Sequence, residues 1–236
     1  MRSIHGIALA ATVTAIGIAG CSTAPSGPTT PATGPMSFFL TSSNPGKGGD
    51  LGGLEGADRH CQSLAQAAGA GNRTWRAYLS TQGPALNSPA FVNARDRIGS
   101  GPWYNVKGVL IARNVAELHS DANNVNKDTA LDEKGNPVND RTKQPSHHDV
   151  LTGSRPDGTA FPGGVVAGQP FPDMTCGNWT KGTNEGAAML GHFDKAGPLA
   201  IPWAQSWNSS HPTIGCSMER IRPTGGDGRL YCFAAN

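Results

Sequence analysis

The stretch GADRHCQSLAQAAGAGNRTWRAYLS, residues 56–80, predicts a helix, a glycine stop and a strand. Small and apolar side chains recur with a helical period on one face, made of Ala57, Cys61, Leu64, Ala65 and Ala68. The polar face holds Asp58, Arg59, Gln62, Ser63 and Gln66. Gly69 and Gly71 end the helix because glycine adopts the left-handed cap conformation without steric cost. From Trp75 to Ser80 apolar residues alternate with the others, which predicts a half-buried strand.

Residues 1–20 predict an export signal rather than part of the fold. Arg2 precedes an apolar run over residues 7–18 that is short for a membrane span, and the run ends in Ile18-Ala19-Gly20-Cys21. This order resembles a bacterial lipobox, which implies lipidation of Cys21 and a lipid bilayer as partner. An ordinary signal peptide is the alternative. The predicted location is the cell envelope, and Ser22 favours the outer membrane if the cell is Gram-negative.

Residues 21–35 are expected to be a tether, and residues 36–236 a single domain. Residues 22–35 are nearly all Ser, Thr, Pro, Gly and Ala, a composition typical of extended spacers. The whole chain has 19 Lys and Arg against 17 Asp and Glu, and loss of Arg2 with the signal leaves 18 against 17. A net charge near +1 gives no support for a nucleic-acid partner. The 32 glycines and 18 prolines predict a loop-rich fold.

The cysteines predict two disulfides. Of the five, Cys21 belongs to the lipobox, and the even remainder is Cys61, Cys176, Cys216 and Cys232. From the count alone, three pairings are open. Because no Cys-x-x-Cys is present, a zinc ribbon or a thioredoxin-type redox motif is disfavoured.

Five motifs in order resemble the endostatin domain of collagens XV and XVIII, and through it the C-type-lectin-like fold. They are Gly53-x-x-Gly56-Ala57-Asp58-x-x-Cys61, residues 74–80 (TWRAYLS), residues 153–158 (GSRPDG), Cys176-x-x-Trp179, and Cys216 with Tyr231-Cys232. The resemblance implies an α+β fold with a twisted antiparallel sheet, two flanking helices and long loops. It also implies the pairings Cys61–Cys232 and Cys176–Cys216.

The resemblance does not carry over a metal or sugar site. Endostatin holds zinc with histidines at its extreme N-terminus, and residues 21–41 contain none. Sugar-binding C-type lectins use Trp-Asn-Asp, whereas this chain has Trp207-Asn208-Ser209 and no Glu-Pro-Asn or Gln-Pro-Asp. The polar segment 120–146 is rich in oxygen donors but lacks an EF-hand pattern, so a solvated loop is preferred to a calcium site. No cofactor is predicted, although calcium or zinc stays open without a complete motif.

Polar and aromatic residues of the last third form the predicted ligand-binding set. Aromatic faces stack on sugar rings, and neighbouring amides, carboxylates and imidazoles bind hydroxyls. The set is Asn178, Trp179, His192, Asp194, Trp207, Asn208 and His211. The alternative is structural, with buried tryptophans and bonded polar groups fixing the loops.

Three functions are compatible with this pattern. The preferred one is a non-catalytic, lectin-like binding module for a glycan or a protein. The second is a structural envelope lipoprotein without a small-molecule ligand. The third is a metal-dependent hydrolase, in which His192, Asp194 and His211 would bind zinc. No complete hydrolase motif supports the third, and the pairing of Ser206, Ser209 or Ser210 with His211 is only nominal.

Overall fold

The computed structural model describes Met1, residues 34–85, Ser88 and residues 90–236. The predicted signal peptide beyond Met1, Cys21 and the tether up to residue 33 lie outside these residues. The described residues from 34 onward belong to one compact unit. Within the described ranges, none of the helices has both the length and the apolar character that a membrane crossing needs.

The predicted α+β class is confirmed by a sheet with few helices. The helices are α1 (Gly53–Ala67), α2 (Val115–Leu118), α3 (Cys176–Trp179) and α4 (Met218–Ile221). The strands are β1 (Phe38–Leu40), β2 (Trp75–Ala77), β3 (Trp103–Tyr104), β4 (Leu110–Ala112), β5 (Asp149–Leu151), β6 (Val165–Val166), β7 (Gln169–Pro170), β8 (Met189–His192), β9 (His211–Pro212) and β10 (Gly226–Ala234).

The resemblance implied an antiparallel sheet, but the main sheet is mixed. Its order is β1-β10-β5-β8-β9, and β2 also pairs with β10. Strand β10 is antiparallel to β1 and β2, but it runs parallel to β5. Parallel pairing requires a long crossover, and the chain between β5 and β10 is long enough to provide one. That connection contains β8 and β9, which extend the sheet on the other side of β5.

Helix α1 differs in detail from the sequence prediction. It begins at Gly53, before the quoted stretch, and Gly69 follows it with a left-handed φ of 79°. Asp58, placed on the polar face, is buried, whereas Ala68, placed on the apolar face, is exposed. Only α1 is longer than one turn among the described helices, so the two flanking helices of the resemblance reduce to one long helix.

Two buried clusters cover opposite faces of the sheet. Successive side chains of a strand point to opposite faces, so Phe39 joins one cluster while Phe38 and Leu40 join the other. Strand β10 divides in the same way, with Cys232 in the first cluster and Phe233 in the second. The burial on both faces explains why Tyr78 and Ser80, expected on an exposed face, have no exposed surface.

Both disulfides pair as the resemblance implied. Cys61 on α1 is bonded to Cys232 on β10, across a sequence separation of 171 residues. Cys176 is bonded to Cys216, across a separation of 40. The first bond therefore ties the opening helix to the final strand.

The segment 120–146 is anchored rather than simply solvated. Val125 and Ala130 are fully buried in the second cluster. Oδ1 of Asn123 accepts the backbone N–H of Val125, Oδ1 of Asn126 accepts that of Asp128, and the exposed Asp128 pairs with Lys127. These side-chain oxygens thus make local contacts.

Candidate metal centre

Three histidines and one aspartate meet at one end of the main sheet. Asp149 opens β5 and lies directly opposite His192, the last residue of β8. His211 opens β9 opposite Leu190, two residues before His192, so the antiparallel pairing puts both histidines on one face. Because His148 precedes β5, the alternation of side chains along a strand does not determine the direction of its ring. The four residues that meet here lie up to 63 positions apart in the sequence.

His148, Asp149 and His192 each offer a donor atom within 4.8 Å of the others, and His211 lies beside this group. Asp149 Oδ1 lies 3.1 Å from His148 Nε2, 3.2 Å from His192 Nε2 and 3.8 Å from His211 Nε2. The Nε2 atoms of His192 and His211 are 3.0 Å apart. Tetrahedral ligands with zinc bonds near 2.0 Å are separated by about 3.3 Å, which is close to three of these four separations.

Each histidine uses its other nitrogen to hold its orientation. Nδ1 of His192 lies 2.7 Å from the carbonyl of Ala204, and Nδ1 of His211 lies 3.1 Å from the carbonyl of Pro212. Nδ1 of His148 lies 3.2 Å from the carboxylate of Asp194. Carbonyl and carboxylate oxygens only accept, so each Nδ1 donates, and a ring in this neutral tautomer has a free lone pair on Nε2. This is the outer arrangement found around metal-binding histidines.

The carboxylate of Asp149 lacks partners of its own. Asp149 has no exposed surface, and neither of its side-chain oxygens receives a hydrogen bond from any described residue. The Nε2 atoms of His148 and His192 lie within ion-pairing distance of Oδ1, so either a protonated histidine or a metal ion would balance this carboxylate. An unpaired buried carboxylate is costly, and buried charges are normally paired or coordinate metals. A cation among the four atoms would satisfy all of them at once.

The electrostatics of the surrounding groups are consistent with a cation. Burial acts to raise the pKa of Asp194, but hydrogen bonds from His148 and from the backbone N–H of Arg141 outweigh it and hold this pKa below its ordinary value. Burial acts to lower the pKa of His192, yet Asp149 and the carbonyl of Ala204 outweigh it and raise this pKa. Asp194 is thus ionised, and the place beside His192 attracts either a proton or a metal ion.

Gly225 makes room for this arrangement. Its φ of 112° is one that side chains rarely adopt, and a Cβ atom there would lie 2.8 Å from His148 Nε2. Any larger residue would therefore push His148 away from Asp149. The turn before β10 is shaped to admit the imidazole.

The predicted ligand-binding set does not form one cleft. His192, Asp194 and His211 come together around Asp149, as described. Asn178 instead bonds both the N–H and the carbonyl of Gln82, and the ring N–H of buried Trp179 donates to the carbonyl of Ser80. Cys176 to Trp179 form a left-handed turn with φ between 49° and 67°, so Asn178 and Trp179 fix an unusual backbone.

Trp207 and Asn208 are also buried. The Trp207 ring packs against Tyr78 and Tyr231, and only 4% of the residue is exposed. The Asn208 amide donates to the Tyr78 hydroxyl and to the carbonyls of Arg155 and Pro156. These contacts fit the structural alternative of the sequence analysis, because neither tryptophan presents a face to a sugar.

The serines near the histidines do not form a nucleophile–base pair with His211. Ser210 Oγ donates to the carbonyl of Trp203 and lies 3.0 Å from His192 Nδ1, the nitrogen that bonds Ala204. Ser206 Oγ donates to Asn208. These hydroxyls support the loop that carries His211.

Sequence reasoning missed His148 and Asp149. The sequence does show His147-His148-Asp149 directly before an apolar run, but alternation argued only against His147 and His148 sharing a metal. The structure agrees on that point, since His147 turns toward Arg229 and Asp227. A histidine and an aspartate next to each other at the start of an apolar run are the pattern that could have indicated this site.

Comparisons of the chain with models of known protein families and with curated proteins find no match.

The outer-shell role of Asp194 can be tested by replacing it with asparagine. Asp194→Asn keeps the size of the side chain but removes the charge that orients and polarises His148. We expect zinc affinity to fall about 10- to 100-fold, the range for such outer-shell partners. Competition with a chromophoric chelator measures this affinity. An unchanged affinity would show that His148 is not oriented through Asp194.

Proposed function

We propose that this chain is an exported metal-binding domain whose central site holds a divalent transition metal, most simply zinc. The carrying observation is the meeting of three Nε2 lone pairs and the buried, unpartnered Asp149 carboxylate. Three imidazoles and one carboxylate are donors that zinc commonly takes, and four of them complete a tetrahedral shell. Calcium and magnesium prefer oxygen donors, which disfavours them here.

The ion would also join three separate parts of the chain. Asp149 opens β5 and His148 directly precedes it, His192 belongs to β8 and His211 to β9. Strand β9 is only two residues long and lies at the edge of the sheet. A ligand that binds the folded state but not the unfolded state adds about 4 kcal/mol of stability at a thousandfold excess over its Kd. Metal binding would therefore fix the edge strand and the loop before it.

Our proposal for the fold family and for the location of the protein rests on the sequence. We propose an endostatin-like, C-type-lectin-like module carried on a lipidated Cys21 and a tether at the cell envelope. The motif order over residues 53–232 and the two disulfide pairings support it. Recognition of a glycan or a protein stays part of the proposal, but burial of Trp179 and Trp207 removes the stacking surface that first suggested a sugar.

Metal analysis of the purified protein tests the proposal. After incubation with zinc and removal of the excess, we expect about one zinc per chain. Asp149→Asn and His192→Ala should each weaken zinc binding at least about 100-fold, because they remove ligands rather than the outer partners that contribute 10- to 100-fold. Isothermal titration at fixed pH gives the affinity.

His147→Ala is the matched control. It removes a histidine next to His148 in the sequence that lies outside the centre, so zinc binding should stay within about threefold of the unchanged protein. Circular dichroism of each variant separates loss of the fold from loss of the ligand. Absence of stoichiometric zinc, or equal losses in His147→Ala and His192→Ala, would overturn the metal centre.

A further inference from the structure

The metal centre is open on the side of His211. Three of the four donor separations given above fall between 3.0 and 3.2 Å, but Asp149 Oδ1 and His211 Nε2 are 3.8 Å apart, wider than the edge of about 3.3 Å in a regular tetrahedron. His211 also lies outside the group of His148, Asp149 and His192, whose donor atoms lie within 4.8 Å of one another. Zinc accepts a fifth ligand in some sites, and the more widely spaced side is where such a ligand can enter.

The side of His211 is also the accessible one. Asp149 and the His192 side chain are buried, while 28% of the His211 side chain is exposed. A cavity of about 280 Å³ lies in front of the histidines. It is lined by Arg141, His148, His192, Pro198, Trp203, His211 and Thr224.

The cavity is built for a negative charge. None of its lining residues in the described part of the chain is acidic, and Arg141 supplies a guanidinium. Arg141 is held in place by its backbone N–H to Asp194 and by its Nη1 to the carbonyl of Gly197. A guanidinium presents five donors in a planar fork that suits carboxylates and phosphates, so one bond to Gly197 leaves donors for a ligand.

The space continues beyond Arg141. A second cavity of about 590 Å³ shares Arg141, His148 and Thr224 with the first and also includes Arg222. On the other side, Trp203 offers an apolar wall, with 46% of the residue exposed. A ligand with an anionic group and a larger body fits this shape better than a bare ion.

We propose that the centre takes an exogenous oxyanion, the carboxylate or phosphate of a small ligand, on the side of the metal that faces the cavity, beside His211. One oxygen binds the metal, and another accepts hydrogen bonds from Arg141. This inference rests on the proposed metal centre and adds the chemical class of its ligand. Binding needs no proton transfer or bond cleavage, so the step is simple coordination.

Cobalt(II) in place of zinc tests the proposal, because its visible spectrum reports coordination number. Acetate and inorganic phosphate are the probes, each titrated into the cobalt-loaded protein at constant ionic strength. We expect the visible absorption to fall severalfold and shift in a saturable manner as a fifth ligand binds. Arg141→Gln should weaken anion binding at least tenfold and leave cobalt affinity unchanged, since Arg141 is not a metal ligand.

Arg113→Gln is the control, since that exposed arginine pairs with Glu117 and lies outside both cavities. It should leave the anion titration unchanged. A cobalt spectrum that neither anion alters, or anion binding equally tight in Arg141→Gln, would overturn the oxyanion site while leaving the metal centre standing. Failure to bind cobalt or zinc at all would overturn both.

Discussion

Replacing Cys61 and Cys232 together by alanine is expected to lower the free energy of unfolding by about 5 kcal/mol in the loop-entropy model. The bond closes nearly the whole domain, with a separation of 171 residues, and so restricts the unfolded chain strongly. Both cysteines are fully buried in the first cluster. Urea unfolding of the oxidised protein and the double variant, both at saturating zinc, measures the difference.

The inner disulfide provides the comparison. Its separation is 40 residues, for which the same model gives about 4 kcal/mol. The double variant Cys176→Ala with Cys216→Ala should therefore cost about 1 kcal/mol less than the outer one. An equal or larger loss from the inner pair would contradict the account in which the outer bond joins the chain ends.

Replacing Asp58 by alanine is expected to lower the free energy of unfolding by about 3 to 5 kcal/mol, the cost of breaking a buried ion pair. Asp58 Oδ2 lies 2.7 Å from Arg97 Nη2 and 2.6 Å from Arg76 Nη1, and Oδ1 accepts the backbone N–H of Ala77. The Arg97 side chain is only 11% exposed, so loss of Asp58 leaves a buried charge uncompensated. Thermal and urea unfolding measure the change.

Two further variants compare the stability contribution of exposed ion pairs with that of the buried pair. Arg76 is 44% exposed, so Arg76→Ala should cost no more than about 1 kcal/mol. Glu55→Ala, which removes the partner of Arg59 on the exposed side of α1, should stay within about 0.5 kcal/mol. A loss below about 1 kcal/mol in Asp58→Ala would show that this network does not hold α1 to β2.

Local periodicity accounts for much of the scaffold. The spacing of small residues before Gly69 predicted α1, and the alternation that begins at Trp75 predicted β2. Asp58 was wrongly predicted to face solvent, because a periodic pattern assigns charged residues to the exposed face of a helix. In the structure Arg97, which follows 39 residues later in the sequence, lies against Asp58 and neutralises its charge. The parallel pairing of β5 with β10 also depends on distant chain, and no local pattern encodes it.

The candidate site was only partly accessible to sequence reasoning. His192, Asp194 and His211 were singled out by their residue types, and the structure brings all three to one place. Asp149 was hidden because its partners come from strand register, which sets His192 opposite it. Trp207 and Asn208 were placed in the ligand-binding set because of their residue types, with a structural role as the alternative, and their contacts with Tyr78 of the opening stretch lie in the core.

The central claim is that His148, Asp149, His192 and His211 hold one metal ion. A crystal structure of the zinc-loaded protein, with anomalous data collected on both sides of the zinc edge, tests it most directly. We expect one strong anomalous peak about 2.0 to 2.2 Å from Asp149 Oδ1 and from the three Nε2 atoms. A zinc-loaded crystal with no peak there, and with protonated His192 bonded to Asp149 instead, would contradict it.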